Sequence, residues 1–145
     1  MRFNIDKHTV LALVTEEVSR VADESFAENG ESLYDSVILT SKDADTIERF
    51  FADACHELIR RTFDICESYS LTDDFWINYY IPDFDETNSE VTREELERYL
   101  SLQICASLFK SRRALAVPEY AERAAKAMDT AVTLLKSRKT PIRTW

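Results

Sequence analysis

The sequence predicts a mainly α-helical protein, a four-helix bundle-like domain with a small β-hairpin or extended insert between the second and third long helices. Three observations predict it. Apolar residues recur every three or four positions along four separate stretches, the period of an amphipathic helix. Glycine occurs once, at Gly30, and proline three times, at Pro82, Pro118 and Pro141. Sandwiches and barrels need such residues at every corner. Hydrophobic residues make up 45% of the chain and charged residues 31%, the balance of a folded domain. A length of 145 residues fits one domain. We read a single helical domain over 1–137, with the insert at about 69–91, and an extended C-terminal tail over 138–145.

The first helix is expected from Asp6 to about Glu28, with Val10, Leu11, Val14, Val18, Val21, Ala22 and Phe26 on its apolar face. Asn29-Gly30 then offers the left-handed residue with which helices commonly stop. Ser36-Val37-Ile38-Leu39-Thr40 reads as a short strand or an extended connector. Ser41 or Asp43 can cap the second helix, whose face is Ile47, Phe50, Phe51, Ala54, Cys55, Leu58, Ile59, Thr62 and Ile65, out to roughly Glu67. Phe75 to Ile81, dense in aromatic and β-branched residues and stopped by Pro82, reads as a strand. Its hairpin partner would be Glu90-Val91, across the polar loop 83–89.

Thr92-Arg93-Glu94-Glu95 has the T-x-x-E form of a capping box and opens the third helix. Leu96, Tyr99, Leu100, Leu102, Ile104, Cys105, Ala106, Leu108 and Phe109 cover more than one face of it, which makes this helix central. Pro118 suits the first turn of a fourth helix reaching about Ser137. Its stripe is Ala121, Ala124, Ala125, Met128, Ala131, Val132 and Leu135, small enough for a close helix approach.

Composition also excludes chemistry. Two histidines, His8 and His56, cannot build a multi-histidine metal site within one chain. A single glycine cannot supply a nucleophile elbow or a phosphate-cradling loop. Cys55 and His56 are neighbours on a helix, so their side chains diverge and cannot act as nucleophile and base. Cys55, Cys66 and Cys105 form no C-x-x-C pair and read as small buried hydrophobes. Asp83, Asp85, Thr87, Ser89 and Glu94 space oxygens as a calcium loop would, but Asn88 stands where that loop needs its glycine. We therefore expect no enzyme activity, no cofactor and no metal.

The formal net charge is −9. Residues 110–145 hold nine Lys/Arg against three acids, +6, which leaves −15 for the remainder. An acidic body with a basic end can attract copies of itself head to tail, or present its acidic face to a basic partner. Such acidity argues against sequence-specific nucleic-acid binding, which relies on neutralising phosphates. Phe75, Trp76, Tyr79 and Tyr80 sit among Asp73, Asp74, Asp83 and Asp85, so they read as packing or edge-pairing residues rather than a base-stacking platform. A terminal tryptophan either packs on its own core or anchors on a neighbour. The interface candidates are thus Phe75, Trp76, Tyr79, Tyr80, Arg138, Lys139, Ile142, Arg143 and Trp145. No window is long and apolar enough for a membrane span, and no partner in a membrane is expected.

One resemblance spans roughly Ala44 to Pro141. It rests on Ile47-Glu48-Arg49-Phe50-Phe51-Ala52-Asp53-Ala54, the aromatic insert ending in Pro82, Ile104-Cys105-Ala106-Ser107-Leu108-Phe109, and the helix from Tyr120 to Leu135. The closing Leu134-Leu135-Lys136 runs on through to Pro141. In this order the elements resemble the head-tail adaptor, or connector completion, proteins of tailed phages and prophages. The resemblance implies a ring-forming virion structural protein that docks beneath the portal and meets portal and tail proteins. It would be made in the host cytoplasm, end in the virion neck and help retain packaged DNA. The alternative from the residues alone is a helical protein-protein interaction module, a regulator or immunity-type protein, using its acidic surface.

Overall fold

The computed structural model describes residues 1–138. In chain order the elements are β1 (Arg2–Ile5), α1 (Lys7–Asp23), α2 (Tyr34–Val37, a single turn), α3 (Ala44–Arg61), β2 (Cys66–Leu71), β3 (Phe75–Tyr79), α4 (Ser89–Arg112) and α5 (Val117–Leu135). The protein is mainly helical, with four long helices and a small antiparallel sheet.

α4 is the element around which the others are arranged. Leu96, Tyr99, Leu100, Leu102, Ile104, Cys105, Ala106, Leu108 and Phe109 are all buried, as a helix apolar on more than one face requires. α5, α1, α3 and β1 all pack on it. α5 contributes Tyr120, Ala124, Ala127, Met128, Ala131 and Leu135. The Phe109 and Tyr120 rings meet edge to face with centroids 4.9 Å apart. Ala121 and Ala125, placed on the buried stripe from the sequence, are exposed, and Ala127 is buried instead. The large Tyr120 ring sets the rotation of the helix, and alanines alone do not mark a face.

The sheet has the order β1-β3-β2, with β3 central. Phe3 pairs with Ile77 and Ile5 with Phe75, while β2 brings Leu71 opposite Phe75. Side chains alternate across a strand, so Phe75, Ile77 and Tyr79 point inward and Trp76 and Asn78 outward. The Tyr79 hydroxyl is satisfied inside by Thr62 Oγ1 at 2.8 Å.

Several boundaries differ from the sequence expectations, each for a local reason. α1 ends at Asp23, not near Glu28. The buried Ser25 hydroxyl takes the Val21 carbonyl, and Leu33 donates back to the Ser25 carbonyl at 2.9 Å. Gly30, at φ +84°, turns the loop that bridges Phe26 to Ser32 rather than capping the helix. Residues 36–40 divide into the last turn of α2 and an extended connector. The connector is held where Arg112 donates to the Ile38 carbonyl and pairs with Asp43. Asp43 accepts from the Thr40 N–H at 2.8 Å and so closes the 3-10 turn that leads into α3.

The second long helix stops at Arg61 rather than Glu67. Thr62 is buried and its hydroxyl donates to the Leu58 carbonyl at 2.8 Å, after which the chain turns into β2. The hairpin partner of β3 is therefore Cys66–Leu71, and Glu90-Val91 belongs to the first turn of α4. Thr92 is no cap: it lies within the helix, fully buried, with its hydroxyl on the Asn88 carbonyl at 2.6 Å. No helix among the described residues is long and apolar enough to cross a membrane.

Candidate functional site

Two regions have the makings of a site, the open edge of the sheet and a cleft between α1, α4 and α5. At the sheet, the structure separates the interface candidates. Phe75 and Tyr79 are 1% and 0% exposed, so they belong to the core and offer no surface. Trp76 is half-buried on the outer face, with the Arg2 guanidinium 4.1 Å above its ring. Tyr80 is 64% exposed just beyond β3. Arg138 is exposed and donates to the Pro82 carbonyl at 2.6 Å, next to an isolated bridge with Phe84. Lys139, Ile142, Arg143 and Trp145 lie outside the described residues.

Sequence reasoning missed two further aromatics on this side. Phe63 is 76% and Tyr69 48% exposed. Phe63 lies in the turn that enters β2, and the Tyr80 N–H donates to the Ile65 carbonyl at 2.9 Å, so Phe63 and Tyr80 flank the same end of the hairpin. Tyr69 lies along β2, an edge strand of the sheet.

The cleft has a volume of about 320 Å³. Thr9, Leu13 and Glu17, four residues apart on α1, supply one wall. Glu94, Glu97, Arg98, Ser101 and Leu102 project from one face of α4, and Arg123 closes the α5 side. Two carboxylates define its electrostatics.

Glu17 belongs to a satisfied network. Its Oε2 accepts from the Tyr120 hydroxyl, from Arg20 Nη2 at 2.9 Å and from Arg123 Nη1 at 3.4 Å. Arg20 Nη2 also donates to the Tyr120 oxygen at 2.6 Å, and the Arg123 guanidinium lies 4.9 Å over the Tyr120 ring. Burial pushes the Glu17 carboxyl up, but hydrogen bonds from Tyr120, Arg20 and Arg123 outweigh it and hold the group at about 2. Burial and the adjacent carboxylate push the Tyr120 phenol well up. Glu17 is thus a fixed anion and Tyr120 a fixed donor, a geometry that locks α1 to α5 and leaves neither group poised to move a proton.

Glu97 is different. It is 2% exposed. Oε1 accepts from Arg93 Nη1 at 2.6 Å, while Oε2 has no hydrogen-bond partner among the described residues. Burial raises its carboxyl, and the Arg93 charge and the Asp6 peptide N–H offset only part of that. Sequence reasoning passed over it, although a signal existed. Glu97, Ser101 and Cys105 recur every four residues and are all buried, a second inward row on α4 that carries polar atoms.

Of the three cysteines read from the sequence as buried, Cys55 and Cys105 are buried, whereas Cys66 is half-buried on β2. Burial pushes the Cys105 thiol up to about 12 and the Cys55 thiol further still. Cys55 is buried while His56 beside it is exposed, so the pair diverges as helix geometry requires. In the acidic loop the Asp85 carboxylate accepts from Thr87 N–H at 3.1 Å and from its hydroxyl at 2.7 Å, capping the turn Glu86–Asn88. Among the described residues no three His, Cys, Asp or Glu side chains gather as metal ligands. No protein-family model, curated protein or solved structure matches this chain.

Proposed function

We propose that this chain is a non-enzymatic structural protein that works by binding other proteins through the open β2 edge of its sheet. One observation carries the reading: three exposed aromatics, Phe63, Tyr69 and Tyr80, are set along and at one end of an edge strand. An edge strand presents unpaired backbone donors and acceptors, and aromatic side chains supply much of the binding energy at interfaces. The four long helices serve as a bundle-like scaffold for that edge.

The finer reading is a head-tail adaptor of a phage or prophage that assembles into a ring at the portal. The sequence resemblance supports it, as does the contrast between an acidic body and a basic C-terminal end, which suits head-to-tail contacts. Acids crowd the same edge at Asp64, Glu67, Asp73 and Asp74. That crowding favours a second reading, an interaction module for a basic partner.

Light scattering across protein and salt concentration, alone and on co-expression with a portal protein, tests the proposal. The adaptor reading expects a salt-sensitive higher oligomer or a portal complex. Phe63→Ser with Tyr80→Ser should abolish either while leaving the melting curve in place. Association that survives the double substitution would remove the β2 edge as the interface.

A further inference from the structure

We infer that Asn29 and Gly30 form a self-modifying site, at which the folded chain converts its own asparagine amide to aspartate and isoaspartate. The inference is independent of the proposed sheet-edge interface. Because α1 has already ended at Asp23, the one asparagine-glycine pair of the sequence is left in the loop before α2. Glu28, Asn29, Gly30 and Glu31 are all exposed there. Gly30 has no side chain to shield its nitrogen, and a Cβ built at that position would meet nothing within 4 Å. The Asn29 carboxamide is already turned towards that nitrogen. Its Oδ1 accepts from the Glu31 N–H at 3.1 Å, the turn that folds an asparagine side chain over the peptide that follows. The same hydrogen bond draws electron density from Cγ, the carbon to be attacked.

The reaction needs no partner but water. Gly30 N attacks Asn29 Cγ and gives its proton to solvent, the new C–N bond closes a cyclic imide, and the Cγ–Nδ2 bond breaks to release ammonia. Water then opens the imide. Attack at Cγ leaves aspartate in an ordinary backbone, while attack at the Asn29 carbonyl carbon leaves isoaspartate, with the chain running on through Cγ. Nothing is oxidised or reduced. One hydrogen bond must open first, from the Gly30 N–H to the Ala27 carbonyl at 2.9 Å. It closes an exposed surface turn, where local opening costs little. The product adds a carboxylate beside Glu28 and Glu31 in a chain whose net charge is already −9. Isoaspartate also lengthens the main chain inside the loop that Phe26 and Ser32 close.

Asn88-Ser89 is the contrasting pair, with another small residue after the asparagine. Asn88 Nδ2 donates to Ser137 Oγ at 3.3 Å, and the Ser89 N–H donates to the Glu86 carbonyl at the first residue of α4. That peptide is built into a helix start and is attacked only if the turn unwinds. Asn4 and Asn78 are followed by the bulky Ile5 and Tyr79 inside β1 and β3.

Incubation of the full folded chain at neutral pH and physiological temperature, followed by trypsin and mass spectrometry, reads each site. Peptide 21–42 holds Asn29 and peptide 62–93 holds Asn88. Aspartate and isoaspartate should accumulate at Asn29 over weeks, at least about tenfold faster than at Asn88. In denaturant the gap should narrow, because α4 no longer holds Ser89. Gly30→Ala should slow the conversion by about tenfold or more. Asn29→Gln should abolish it, and this variant leaves Gly30 in place should alanine at φ +84° disturb the loop. An unmodified Asn29 in the folded chain, while the released peptide 21–42 converts freely, would overturn the inference. So would equal rates at Asn29 and Asn88 in the folded chain.

Discussion

Glu17 and Glu97 line one cleft from facing helices, and both are largely withdrawn from water, yet their chemistry runs in opposite directions. Glu17 is held at about 2, whereas Glu97 is raised from its ordinary value of 4.5. Burial penalises the charge in both. The difference is in the donors: Tyr120, Arg20 and Arg123 converge on Glu17, and Arg93 reaches one oxygen of Glu97. Depth alone does not decide whether a carboxylate is an asset to the fold. The number of donors aimed at it does.

Three substitutions test that contrast. The largest expected effect is from Glu17→Gln, which strips a charge from three donors. Chemical denaturation should show a loss of about 1–2 kcal/mol, kept modest because the side chain is 24% exposed. Tyr120→Phe keeps the ring against Phe109 and removes only the hydroxyl, so about 1 kcal/mol should go. Glu97→Gln should stay within about 1 kcal/mol of the wild type at neutral pH, because the ion pair it loses with Arg93 is set against the cost of a buried charge. A loss at Glu97 larger than that at Glu17 would invert the comparison.

Acid titration of stability separates the same two groups. Glu17 has a folded-state value below the unfolded one, so its contribution is present above about 4.5 and is lost as pH falls from there towards about 2. Glu97 has a raised folded-state value, so its charge burdens the fold at neutral pH and that burden lifts as pH falls towards 4.5. The wild type should therefore gain slightly on mild acidification and then lose stability below about 4.5. Glu97→Gln should flatten the first limb and Glu17→Gln the second.

The helices were legible because their stripes are long. Leu96 to Phe109 announces a helix buried on more than one side, and Pro118 places the start of the last helix within a residue of Val117. β3 was legible from its composition, being filled with aromatic and β-branched residues as the central strand of the sheet. β2 was not, because Cys66-Glu67-Ser68-Tyr69-Ser70-Leu71 is an edge strand with much of its surface in water and carries no strong alternation. Four residues at β1 gave too short a pattern to read. The cleft was hidden for another reason: spacing places Glu17 and Glu97 on helix faces but does not reveal how many donors a third helix brings to each. Thr92 shows the same limit, since a capping motif and a buried threonine look alike until the helix start is known.

β1 and β3 lie far apart in the chain, with the Tyr79 N–H donating to the Met1 carbonyl, 78 positions away. At a synthesis rate of about 5–20 residues per second, Phe3 and Ile5 leave the ribosome roughly 4 to 15 s before the strand that covers them. Through that interval the nascent chain carries an apolar segment with nowhere to dock. A chaperone at the exit tunnel would meet that segment before its partner strand exists.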